Sequence, residues 1–150
     1  MKLYRAVSSF DNQILQLNHY IQNPRKPRDT ETELHHIIDD WFFNKFGIRA
    51  RSQCIFCSPN REYTSKYMQN GGIMLELELP PGEPFNIIFS LMVDDLYADT
   101  CYFSAPYNRL EIHQFLEGRN YTIVNNLDDV PSTFRGELML SINKFLAKVA

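Results

Sequence analysis

Apolar and polar positions change period along this chain, and the changes mark its elements. Leu34, Ile37, Ile38, Trp41, Phe42 and Phe46 recur three and four apart, which on a helix makes one wide apolar stripe. Thr30 followed by Glu33 has the spacing of a capping box ahead of that stripe, and Gly47 behind it supplies a C-terminal cap. Ile73, Leu75, Leu77 and Leu79 instead alternate with Met74, Glu76 and Glu78, the period of a half-buried strand, which Pro80-Pro81-Gly82 closes.

Shorter runs fill in the rest. Leu3 to Val7 predicts a first strand interrupted by Arg5. Ser8 or Ser9 can cap a helix that carries Ile14, Leu17 and Ile21 on one face and covers a sheet. Asn23 to Asp29 holds two prolines and predicts an irregular, exposed, basic loop. Gln53 to Ser58 reads as a buried strand stopped by Pro59-Asn60, with a short helix over Arg61 to Met68 before Gly71-Gly72. Phe85 to Met92, Tyr102 to Ser104, Tyr121 to Val124 and Glu137 to Ile142 read as strands, and Leu110 to Leu116 as a helix or irregular segment. Consecutive strands, with helices gathered toward the first half, predict an α+β fold. Neither a repeat nor a linker divides the sequence, so one domain over residues 1–150 is expected.

Composition narrows the function classes. A chain of 150 residues with 44% hydrophobic and 13% aromatic content can bury a core and is too apolar for disorder. Its net charge of -3 gives no general drive toward phosphate backbones. Any nucleic-acid contact would come from a local patch, Arg25, Lys26 and Arg28, joined by Arg49 and Arg51. Three cysteines do not suit a disulfide framework, and no stretch has signal or membrane-span character. Reduced thiols, a cytoplasmic location and no membrane partner are expected.

Simple metal and nucleotide motifs are missing. Cys54 and Cys57 have ligand spacing, yet on a strand residues three apart face opposite sides and no second pair follows, so they read as packing. His36 and Asp40 share a helix face without a third ligand, and no metal is expected. Asp94-Asp95 and Asp128-Asp129 sit in turn contexts. There is no P-loop, nucleophile elbow or dinucleotide fingerprint.

Three separated features remain: Leu3-Tyr4-Arg5; Arg51 to Ser58 with Tyr63 and Tyr67 following; and Gly136-Glu137-Leu138-Met139-Leu140. In this order they resemble the core of the ADP-ribosyltransferase superfamily. There an Arg or His lies on the first strand, a second strand leads to hydroxylated residues or to a helix bearing a tyrosine, and a late strand carries a glutamate. Ile55 to Tyr67 is similar to the strand and helix before the nicotinamide-stacking tyrosine of poly-ADP-ribose polymerase-like members. The chain also resembles short bacteriophage proteins with a Pro-Arg-Asp-Thr loop, an aromatic helix ending in Phe-Gly, an Arg-Ser strand and a late Gly-Glu strand.

The resemblance implies a split, mixed or antiparallel sheet with helices mainly from the N-terminal half, and NAD as substrate. It implies Glu137 as the catalytic carboxylate, with Arg5, Tyr4, Ser52, Phe56, Ser58 and Tyr67 binding NAD. A carboxylate suits an oxocarbenium-like transition state, a guanidinium suits phosphate or ribose, and a phenol ring suits stacking on nicotinamide. Ser52 and Ser58 are alternatives for orienting the site. The acceptor implied is a host protein or nucleic acid, met through Arg25, Lys26 and Arg28, in host takeover or counter-defence.

The sequence departs from the family pattern at three places. Cys57-Ser58-Pro59 stands for a Ser-Thr-Ser run, Ala6 for a glycine, and Arg135 occupies the position two before Glu137, so the arginine-modifying Gln/Glu-x-Glu pattern is absent. Two rival readings accompany the enzyme. One is a non-enzymatic inhibitor on the same fold, docking through Asp94, Asp95, Tyr97, Tyr102 and Tyr107. The other is a nucleic-acid binder using the basic patch.

Overall fold

The structure, a computed structural model, describes residues 1–68 and 70–150. Two four-stranded antiparallel sheets and five helices form it among those residues, an α+β architecture. The strands are Leu3–Val7 (β1), Leu15–Leu17 (β2), Ile55–Cys57 (β3), Ile73–Glu78 (β4), Phe85–Phe89 (β5), Thr122–Val124 (β6), Leu138–Ile142 (β7) and Lys144–Val149 (β8). The helices are Thr32–Phe46 (α1), Ala50–Gln53 (α2), Arg61–Ser65 (α3), Leu96–Thr100 (α4) and Arg109–Glu117 (α5). One sheet runs β1-β4-β8-β2 and the other β3-β7-β5-β6.

Strand alternation places a core on each face of the second sheet. Leu138, Leu140 and Ile142 of β7 join Leu3, Leu75, Leu77, Phe145 and Ala147 of the first sheet. Met139 and Ile88 point the other way, into Leu34, Ile38, Trp41, Phe42, Ile112 and Leu116 of α1 and α5. The layers are therefore sheet, sheet and helices. Cys57 belongs to the first core and Cys54 to the second; both are packing residues as expected, but Cys54 caps α2 and only Cys57 lies on β3.

Several expectations need correction. The segment holding Ile14, Leu17 and Ile21 is not a helix: Leu15 and Leu17 pair with Leu146 and Lys144 of β8, and His19–Ile21 is a 3-10 turn capped by Asn18. Three apolar residues make too short a stripe to outweigh an open sheet edge, and Ile14 and Leu17 stay exposed. β8 itself follows β7 directly and was not anticipated. Tyr102 to Ser104 is no strand; α4, capped by Asp95, ends just before it. Thr30 and Glu33 form no capping box, because the N-cap of α1 is Glu31, which makes no side-chain cap bond. Gly47 does end α1, at φ 72°. Every ladder is antiparallel, so the sheets are not mixed; α1, α2 and α3 come from the first half, as expected of most helices, and α4 and α5 from the second.

Candidate active site

The two sheets meet where Tyr4 of β1 and Ser58 after β3 form an isolated antiparallel bridge, each N–H donating to the other's carbonyl at 2.8 and 2.9 Å. Beside this junction lies a cleft of about 380 Å³. Arg5 reaches across it, its Nη1 donating to Phe56 O at 2.9 Å. The guanidinium has five N–H donors, so further donors remain for a ligand.

Glu137 enters the cleft at the start of β7. Gly136 before it is buried, and a Cβ there would lie 2.8 Å from Asp94 Cα. That close approach lets Glu137 N donate to Asp94 O at 2.9 Å, which fixes where the carboxylate begins. Its Oε1 accepts from Arg51 Nη1 at 2.5 Å, with both side chains about one-seventh exposed.

Arg51 is aimed from beneath. Asp39 on α1, itself buried, accepts from Arg51 N and Ser52 N at 2.9 Å and from Ser52 Oγ at 2.7 Å. α2 is thereby held against α1, and the Arg51 guanidinium lies 4.3 Å from the Phe56 ring centroid. Burial opposes the Arg51 charge, but the Glu137 carboxylate outweighs it and the pKa is raised.

A tyrosine pair faces this ion pair. Asn60 caps α3 by accepting from Tyr63 N at 2.6 Å, and Tyr67 follows one turn later. The two hydroxyls are 3.3 Å apart, and Tyr67 donates to Asp95, whose other oxygen caps α4. Burial pushes both phenols above their usual range, and the Asp95 carboxylate adds to this for Tyr67. Both therefore stay protonated donors at neutral pH.

Arg25 closes the remaining side. Its guanidinium sits between the Tyr20 and Phe56 rings, 4.0 and 3.9 Å from their centroids, and donates to Arg51 O and Cys54 O, each at 2.9 Å. Burial lowers its pKa to about 10, which still leaves it charged at neutral pH. Burial acts to raise the Tyr20 pKa, but Arg25 and Arg5 outweigh it and lower it. Among the described lining residues, Arg5, Arg25, Lys26, Arg28 and Arg51 face Asp29, Asp95 and Glu137. The cleft is cationic in a chain of net charge -3.

Of the residues singled out from the sequence, Tyr4, Arg5, Phe56, Tyr67 and Glu137 line this cleft. Ser52 and Ser58 lie outside it: Ser52 is spent on Asp39, and Ser58 Oγ donates to Arg135 O and accepts from Asn60 N. Phe56 lines the cleft with two guanidinium groups stacked on its ring. The basic patch is broken up. Arg25 and Arg51 are committed inside, Arg49 pairs with Asp39 and Asp40, and Lys26 and Arg28 remain exposed.

From the sequence, His35 and Tyr63 had no site role, Arg51 only a place in the basic patch and Asp95 only one in a docking surface. Tyr63 and Tyr67 carry a readable signal, the helical spacing of four. An arginine beside a short strand and an aspartate in a turn carry none. Asp40 is taken by Arg49 and Arg109 and His36 is exposed. Among the described residues no cluster of three His, Cys, Asp or Glu side chains is arranged to hold a metal ion, and no helix is long and apolar enough to cross a membrane. Compared with family models, curated proteins and solved structures, the chain matches none.

Proposed function

We propose that this protein is a small ADP-ribosyltransferase that cleaves NAD and transfers ADP-ribose to a host macromolecule, as in a bacteriophage countering its host. One observation carries the reading: Arg5, Tyr67 and Glu137, far apart in sequence, line a single cationic cleft at the junction of two antiparallel sheets. That junction agrees with the split sheet of an ADP-ribosyltransferase-like fold.

In this reaction the bond between ribose C1′ and the nicotinamide nitrogen breaks, nicotinamide leaves with the electron pair, and an acceptor nucleophile bonds C1′ and loses a proton. Glu137 holds the ribose hydroxyls and stabilises the oxocarbenium-like state. Arg51 orients that carboxylate through its hydrogen bond to Oε1. Arg5 and Arg25 face the pyrophosphate, and Tyr67 borders the nicotinamide ring.

The test is incubation with NAD labelled in the adenylate moiety and bacterial lysate, following both labelled macromolecules and free nicotinamide. Wild type is expected to give both, and Glu137→Gln to lower the rate by about 10²- to 10³-fold, as for loss of one electrostatic stabiliser. Wild type that neither transfers label nor releases nicotinamide refutes the enzyme.

A second reading is a binding protein on the same fold without turnover. It is favoured by the Arg51–Glu137 bond, which already occupies one carboxylate oxygen. Stabilisation by NAD in a thermal shift without nicotinamide release would select it.

A further inference from the structure

β2 is an open edge. It stands last in its sheet, β1-β4-β8-β2, with β8 on one side and, among the described residues, no strand on the other. Its pairing with β8 fixes which main-chain groups are spent. Ala147 N donates to Ile14 O and Asn18 N to Asn143 O, each at 2.8 Å, so the even-numbered residues turn their N–H and C=O groups inward and the odd-numbered ones turn theirs out. Gln13 is closed off locally: its N–H donates to Asp11 Oδ1 at 2.9 Å and its carbonyl accepts from Gln16 Nε2 at 2.8 Å. Leu15 and Leu17 are left, each with a donor and an acceptor facing out.

The side chains around them match that opening. Leu15 and Leu17 lie opposite Leu146 and Lys144, on the face turned away from the core that takes Phe145 and Ala147. They are 53% and 57% exposed, and Ile14 and Ile21 beside them 69% and 42%. Proteins guard such an edge with lysine, proline or a bulge. Residues 12–18 hold no charge and no proline, the composition that pairs most readily with another strand.

The pattern is complementary to itself. An antiparallel copy about a two-fold axis at Gln16 puts Leu15 opposite Leu17 of the second copy, and Leu17 opposite its Leu15. Both are hydrogen-bonded pairs, so the outward groups of the two copies close in four bonds and four leucines meet on one face. Only this register uses all of those groups. It brings no like charges together, since Gln16 meets Gln16, Ile14 meets Asn18 and Gln13 meets His19. Such an isologous contact ends at two copies. Four partly exposed aliphatic side chains per copy fall short of a standard interface, about 800 Å² on each partner, so the pair forms and separates with concentration.

We propose that β2 is a self-association surface, through which two copies of this chain join their four-stranded β1-β4-β8-β2 sheets into one continuous antiparallel sheet. None of residues 12–18 lines the cleft, and the contact needs no turnover.

Sedimentation velocity of the full chain under reducing conditions tests this. Wild type is expected to pass from monomer to dimer between about 1 and 300 µM, the range of a small interface. Leu15→Lys/Leu17→Lys should weaken the dimer at least about tenfold, since it sets lysines directly opposite one another. Both positions are exposed, and circular dichroism checks the fold of the variant. Register is read by mild oxidation in a Cys101→Ser background. There Gln16→Cys, at the two-fold axis, should cross-link the two copies, and Gln13→Cys should not.

Wild type that stays monomeric up to about 300 µM overturns the proposal. So does assembly beyond the dimer, as when β2 joins β6 of the next copy, and so does a dimer indifferent to Leu15→Lys/Leu17→Lys or cross-linked through Gln13→Cys in place of Gln16→Cys. If the lysine variant does not fold, the two cysteine variants decide alone. Absence of nicotinamide release would refute the transferase and leave these outcomes unchanged.

Discussion

Replacing Arg51 by methionine removes the cation that meets Glu137 at 2.5 Å while keeping most of the aliphatic volume. Removing one partner of a buried ion pair costs about 3–5 kcal/mol, because the other charge stays behind without compensation. Both side chains here keep a small exposure, 14% and 13%, so the lower end, about 3 kcal/mol, applies. For a chain of this size that corresponds to a fall of roughly 6–12 °C in Tm. Glu137→Gln leaves Arg51 unpaired in turn and should cost a similar amount.

The double variant Arg51→Met/Glu137→Gln leaves neither charge and should lose far less than the two singles combined, by about 2 kcal/mol or more. Urea unfolding followed by fluorescence of the buried Trp41 gives the midpoints at constant slope. Single losses that add to within about 0.5 kcal/mol would show an uncoupled, surface-like pair, and the claim that Arg51 orients Glu137 would fall with it.

Other consequences are equally direct. The folded His35 has its pKa lowered by burial to about 4 from its ordinary 6.5, so the unfolded chain takes up a proton first as pH falls. Stability from this group is complete above pH 6.5 and is lost progressively toward pH 4, by about 3 kcal/mol in all; urea midpoints of wild type and His35→Gln at pH 7 and 4.5 should diverge accordingly. Gly136→Ala pushes a methyl group against Asp94 Cα at 2.8 Å, which should cost about 1–3 kcal/mol, read as a lower Tm, and disturb Glu137. Burial raises the Cys54 and Cys57 pKa to about 12, whereas Cys101 is exposed. A thiol reagent followed by mass spectrometry should mark Cys101 alone in the native protein and all three thiols after unfolding.

The stripe from Leu34 to Phe46 with its Gly47 cap, and the alternation from Ile73 to Leu79, were legible in the sequence because period is a property of neighbouring residues along one chain; the capping box expected at Thr30 does not form. The strand carrying Arg5 was legible too, and so was the packing role of Cys54 and Cys57, although Cys54 caps α2 just before β3 rather than lying on that strand. Which residues would share the cleft was a different matter. Resemblance of motif order suggested Arg5, Tyr67 and Glu137, while residue pattern alone favoured none of them over an ordinary surface charge or core ring.

Tertiary structure decided the rest. Leu15 to Leu17 became an edge strand because β8 offered it backbone partners more than a hundred residues away. Ser52 looked like a site hydroxyl until Asp39, thirteen residues earlier, claimed it. Arg51 looked like a basic rim until folding brought Glu137 to it across 86 positions. Local periodicity sets which elements a chain can form; only their packing sets which charges meet, since an ion pair depends on distance in space, and the chain carries no local record of that distance.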